Sequence, residues 1–177
     1  MVKGDEMKAN EVAYTALFVA LTAVSAQIAI PLGSVPITLQ VLMVLLSGFI
    51  LGAKLGFLSQ LIYVIMGAIG FPVFANFQGG LGVIYGPTGG YLLAFPLAAF
   101  LAGWISEKSE NIGLHFAAAL GAIGVIYLLG WLRLGFFIGG NFKKAFMIGV
   151  LPFIGVDLIK AGVAVIITEK VKKSGFM

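Results

Sequence analysis

Charged positions are bunched along this chain. Five fall within positions 3–11, three within 107–110 and four within 169–173. Between the bunches run long stretches almost free of charge. A helix needs about 20 largely apolar residues to cross a bilayer. Six segments reach or approach that length: 12–30, closed by Pro31; 37–51, after the extended SVP turn; 55–70, closed by Phe71 and Pro72; 91–105; 114–138; and 145–168. The second, third and fourth are short for a full span, which tilt or burial inside a bundle accommodates. The pattern predicts an all-α membrane protein of six transmembrane helices, a single domain over residues 1–177 with no long soluble loop.

An even number of spans places both termini on one side. Lys3, Lys8, Lys54, Lys108, Lys170, Lys172 and Lys173 then share that side, while Arg133, Lys143 and Lys144 lie opposite. Lysine and arginine accumulate on the cytoplasmic side of membrane proteins, so both termini are expected there. The first residues carry acids as well as lysines, and the apolar run behind them is longer than a signal-peptide core, so no cleavable leader is expected.

Composition agrees. The chain is 60% hydrophobic and 10% charged, where soluble domains are nearer half apolar and a quarter charged. A net charge of +4 raises nucleic acid as a partner, but the basic residues sit at segment ends and form no stripe with aromatics. There is no cysteine, which excludes disulfides, thiolate metal sites and thiol nucleophiles. His115 is the single histidine and reads as an interfacial residue; no metal or cofactor site is expected. No Walker motif, H-E-x-x-H or G-x-S-x-G is present, so neither ATP hydrolysis nor the common hydrolase chemistries find their residues here.

Four features stand out against this background. Asp157 and Lys160 interrupt the last apolar segment. At i and i+3 they share a helix face with Ala161, Ala164 and Thr168, opposite Leu158, Ile159, Val163, Ile166 and Ile167. Ionisable groups at membrane depth cost a few kcal/mol or more and mark binding sites, relays or pathways. The bland reading is a self-neutralising pair that only fixes helix packing; the sharper one is a ligand site facing the bundle interior. Pro152 fits the first turn of that helix, leaving Asp157 within reach of the outside.

The second feature is residues 71–90, FPVFANFQGGLGVIYGPTGG, with six glycines, two prolines and no charge. Continuous helix is excluded there, and irregular backbone at membrane depth is tolerated only when buried in protein or lining a cavity. Within it Asn76 is the most versatile hydrogen-bonding side chain, although Asn is also a common turn residue. Third, Tyr91 closes GPTGGY, offering an apolar ring with a polar tip at a helix entry. Fourth, Ala9, Ala13, Ala16, Ala20, Ala23 and Gln27 form one stripe on the first helix. Small residues at that spacing let another helix approach closely, whether a neighbour in the fold or a separate protein.

VPITLQ (35–40), GFPVFANFQGGLGVIYGPTGGYLLAF (70–95) and LPFIGVDLIKA (151–161) closely resemble the BioY family, the biotin-binding S components of energy-coupling-factor vitamin transporters. The resemblance covers nearly the whole chain. It implies six membrane helices around a substrate cavity near the outer face of the cell membrane. It also implies capping loops between helices one and two and between helices three and four, and docking to a transmembrane scaffold subunit and two ATPases. By motif, the biotin contacts fall on Asn76, Asp157 and Lys160, with Tyr91 a further pocket member, and the scaffold-docking face on Ala16 and Ala20. Biotin is then cargo, with no cofactor bound. Where the family often has PFLPGD this chain has PFIGVD, which relaxes the helix start but keeps the Asp–Lys spacing. The chemistry is compatible: Asp157 can accept a ureido N–H, Asn76 can both donate and accept, and Lys160 can orient Asp157 or attract the ligand carboxylate. Phe74, Phe77 and Tyr85 are expected to cover the rings. Other vitamins, thiamine or riboflavin, and a membrane enzyme using Asp157 and Lys160 as acid and base are the competing readings.

Overall fold

The computed structural model describes residues 8–174; Lys3, counted above toward the cytoplasmic side, lies outside them. Helix α1 (Ala9–Gln27) leads into a two-residue antiparallel pair, β1 (Ala29–Ile30) and β2 (Ile37–Thr38), reversed at Gly33. Then come α2 (Gln40–Ala68), a 3-10 turn at Ala75–Phe77, the short α3 (Leu81–Tyr85), α4 (Gly89–Ser106) and α5 (Ile112–Phe137). The chain ends in α6 (Phe142–Gly149), a second 3-10 turn at Leu151–Phe153, and α7 (Ile154–Lys173). By length and composition five stretches are fit to cross a membrane: α1, α2, α4, α5 and 142–173.

The expected segments 37–51 and 55–70 form one helical element broken at Gly52, whose φ of 81° and ψ of 179° are open to glycine and strained for other residues. Gln60 Nε2 donates to Ser47 Oγ at 3.2 Å, and Gln40 Nε2 to Tyr63 Oη at 2.6 Å. These partners are 13 and 23 residues apart, and a straight helix would hold them about 20 and 35 Å apart. The chain therefore reverses at Gly52 into two antiparallel arms, 40–51 and 53–68. Glu107, just past α4, accepts the Ala53 N–H at 2.8 Å and caps the second arm with a negative charge at its N-terminus.

The expected segment 145–168 is also divided. Pro152, which lacks an N–H, sits in the 3-10 turn between α6 and α7. As a result α7 starts at Ile154, runs past Thr168 to Lys173, and has Asp157 in its first turn.

Packing follows membrane rules, with small residues at helix contacts and large apolar side chains turned outward. A methyl group on Gly48 would run into the Ala99 carbonyl of α4, and one on Gly103 into the backbone at the Gly52 turn. Alanines 94, 98, 99 and 102 of α4 and 118, 119 and 122 of α5 are fully enclosed, whereas Leu128, Phe136, Ile159 and Ile166 face out.

The bundle has two distinct ends. At one, Glu107 meets the Gly52 turn, and Lys172 Nζ donates to Ser106 Oγ at 3.1 Å. Tyr14, Leu17, Ile50, Leu51, Val171 and Ser174 line a common groove there, so both ends of the described chain share this side. His115 is at the same end, near the start of α5, and is fully buried: Nδ1 lies 3.0 Å from Glu169 Oε1 and Nε2 lies 2.8 Å from the Ser109 carbonyl. At the other end gather the 28–39 turn, the 70–88 loop and the α6–α7 junction, where Arg133 hydrogen-bonds the Tyr85 carbonyl and reaches the Gly86 carbonyl at 3.4 Å.

Candidate functional site

The second end encloses a cavity of about 620 Å³, lined by 31–41, the 74–88 loop, Tyr91, Leu92 and Phe95 of α4, Ile126 and Tyr127 of α5, and Phe153, Asp157 and Lys160 at α7. That volume suits a small organic molecule. Asn76, Tyr91, Asp157 and Lys160, from three separate stretches of sequence, all border it.

Asp157 and Lys160 are 2% and 5% exposed and face inward, with Ala161, Ala164 and Thr168 buried along the same stripe. Ile159 and Ile166, on the other side of α7, are turned out. Lys160 Nζ donates to Asp157 Oδ1 at 2.6 Å, and Tyr127 Oη donates to Asp157 Oδ2 at 2.7 Å. The pair is thus both self-neutralised and part of the cavity wall, so the two readings of it are compatible. A carboxylate has about four lone-pair sites and an ammonium three donors. With one partner on each Asp157 oxygen and one on Lys160 among the described residues, both groups keep capacity for a further hydrogen bond. The N-terminal first turn of α7 adds a favourable partial positive charge beside the carboxylate.

Asn76 is built differently. It lies in the 3-10 turn at φ 58°, ψ 36°, followed by Phe77 at φ 56°. Asn tolerates this left-handed region, while for a residue such as Phe it costs roughly 1–2 kcal/mol. The Phe74 N–H donates to the Gln78 carbonyl at 2.9 Å and closes the turn. Tyr63 Oη donates to the Val73 carbonyl at 3.0 Å and in turn accepts from Gln40, which is itself fixed by Thr38 Oγ1 at 2.8 Å. The Asn76 side chain is exposed and borders the cavity without a hydrogen bond to any described residue.

Tyr91 contributes its ring and not its hydroxyl, which donates to the Gly149 carbonyl at 2.8 Å. Of the three aromatics expected over the ligand, Phe74 is buried at the cavity, edge-on to Tyr63. Phe77 and Tyr85 are 71% and 67% exposed and do not line this cavity. The reason is local: the left-handed turn at 76–77 swings Phe77 outward. Tyr85, at the end of α3, is held by its carbonyl to Arg133. Sequence reasoning missed Tyr127, whose only signal was a hydroxyl in the middle of an apolar helix, where it needs a partner. It also left Gln40 unassigned, although VPITLQ had been singled out. Ala16 and Ala20 are far from this chemistry on the outward face of α1, exposed together with Ala9 and Ala13. The inward face of α1 carries Thr15, Phe18, Val19, Thr22, Ser25 and Ala26.

The chain has relatives among known proteins. Residues 2–175 match the model of the BioY family. A protein of Pyrococcus horikoshii named a probable biotin transporter BioY is 55% identical over 94% of this chain and 98% of its own length. The biotin transporter BioY of Thermotoga maritima is 48% identical over 89% and 92%. Among solved structures, the crystal structure of the S-component for biotin from an ECF-type ABC transporter superposes with a TM-score of 0.87 at 28% identity, covering 95% of both chains. A family match spanning nearly every residue, close relatives of the same family, and a shared fold over almost the whole chain lead to one conclusion: the chain belongs to the BioY family.

Proposed function

We propose that this protein is the biotin-binding S component of an energy-coupling-factor importer. It captures biotin and delivers it to partner subunits that hydrolyse ATP. The observation that carries the reading is the convergence of an acceptor, a cation and an amide, Asp157, Lys160 and Asn76, on one cavity. Biotin presents two ureido N–H donors, a ureido carbonyl, an apolar thioether ring and an acid tail. The Asp157 carboxylate accepts an N–H, the Asn76 amide complements what remains of the ureido group, and Phe74, Tyr91, Phe95 and Ile126 surround the apolar part. Lys160 orients Asp157 through their short contact and keeps two further donors for the ligand carboxylate. Tyr127 fixes the second carboxylate oxygen. A site that hydrogen-bonds a ligand's polar groups rejects analogues that lack them, so specificity rests on Asn76 and Asp157.

In the same reading the chain is one domain of six spans, the two arms of α2 counting separately. Both termini are cytoplasmic and the cavity faces the outside of the cell membrane. Biotin is cargo and no cofactor takes part. A scaffold subunit and two ATPases complete the transporter, with the scaffold seated on the Ala16 and Ala20 face. The relatives' transporter names support this over an acid–base enzyme. The test is to purify the protein in detergent, identify the small molecule that accompanies it, and measure binding of biotin, thiamine and riboflavin. Biotin is expected to co-purify and bind tightest; tighter thiamine or riboflavin binding, or a chemically altered ligand, overturns the proposal.

A further inference from the structure

Gln27 is the last residue of α1 and does not itself line the cavity. Its Oε1 accepts the Phe77 N–H at 2.9 Å, and its Nε2 donates to the Phe74 carbonyl at 3.1 Å and to the Ala23 carbonyl of its own helix at 3.1 Å. One side chain thus grips the 74–77 turn on both sides of Asn76. The turn needs a grip. Two consecutive non-glycine residues there are left-handed, and a Phe in that region stays only where its surroundings hold it. Packing does not hold Phe77, which is 71% exposed. The bond from Phe74 N–H to the Gln78 carbonyl closes the base of the turn but leaves the Phe77 N–H to Gln27.

We propose that Gln27 is a positioning residue for ligand binding, which keeps the strained turn in the form that presents Asn76 to the cavity. This rests on the reading of the cavity as a biotin site. Gln27 belongs to the same rigid helix as Ala16 and Ala20, so a displacement of α1 is passed directly to the roof of the cavity.

Three variants test it: Gln27→Ala, Phe77→Gly and the double change. Glycine reaches positive φ without strain, so it removes the need for the grip. Gln27→Ala is expected to speed biotin release roughly tenfold, the effect of losing two or three ordinary hydrogen bonds. Phe77→Gly alone is expected to stay close to the unmodified protein, and the double variant to recover much of the loss. In the unliganded protein the Phe77 amide should exchange slowly with solvent and become fast in Gln27→Ala. A merely structural Gln27 would lower thermal stability without any rescue by Phe77→Gly. Unchanged release in Gln27→Ala, a double variant no better than Gln27→Ala, or equal Phe77 exchange in both proteins overturns the proposal. The exchange measurement needs no ligand, so it separates failure of this inference from failure of the biotin reading.

Discussion

On one side of the cavity, Asp157 and Lys160 stand a turn into a regular helix, buried and already bonded to each other and to Tyr127. Across from them Asn76 stands on an irregular loop, exposed, in a left-handed conformation and without a side-chain partner among the described residues. The first arrangement keeps an expensive pair of charges neutralised when the cavity is empty. The second leaves its polar group in contact with water until a ligand arrives. Each fits its place. A lone charge at membrane depth would be costly, while a loop near the surface can keep a hydrogen-bonding group free at little expense. The floor therefore carries charges that are already paired, and the roof carries an amide with its bonding capacity still free.

The sharpest way to break this contrast is to remove each side in turn. Asp157→Ala leaves Lys160 buried without its partner and one ligand donor unmet; biotin affinity should fall on the order of a hundredfold or more. Asp157→Asn keeps the shape and loses the charge, so it should fall between that variant and the unmodified protein. Asn76→Ala removes only a neutral hydrogen-bonding group from a site that water can reach, and roughly tenfold weaker binding is expected. Equilibrium binding of radiolabelled biotin to the purified variants decides the order. If Asn76→Ala costs as much as Asp157→Ala, floor and roof do not differ as described. Tyr127→Phe sharpens the picture further. It frees Asp157 Oδ2 but leaves the ion pair intact, so a several-fold loss is expected, smaller than for either side chain removed above.

The same contrast explains what the sequence disclosed. The Asp157–Lys160 stripe was legible because helical spacing fixes which residues share a face, and charge in an apolar run demands an inward direction. All five residues of that stripe are buried. The 71–90 loop was legible as irregular and close to a cavity, since glycines and prolines without charge allow little else. Its internal directions were not legible: spacing treats Phe74 and Phe77 alike, yet one is buried and the other turned out by a left-handed turn. Tyr127 was hidden because its partner lies 30 residues away on another helix. The reversal at Gly52 agrees with the two separate segments expected around Lys54. The break at 150–153 was blurred because the apolar run continues through it, with Pro152 the one local sign.

The smallest expected effect on binding belongs to Ala16→Leu and Ala20→Leu, and its smallness is what makes them informative. Both alanines are exposed on the outward face of α1, away from the inward residues that hold α1 to its neighbours. Within a bilayer an outward leucine meets lipid tails as readily as alanine does, so folding and biotin affinity should stay within about twofold of the unmodified protein. A helix of another protein seated on the same face would meet the added bulk directly, because small residues permit close approach and leucine prevents it. Co-purification with the scaffold and ATPase subunits, and ATP-driven biotin uptake into vesicles, should therefore be lost while the isolated protein still binds. Assembly that survives both substitutions would move the docking face elsewhere. Assembly lost together with biotin binding would mean that α1 does not separate the two tasks, and that the exposed alanines and the roof held by Gln27 respond as one unit.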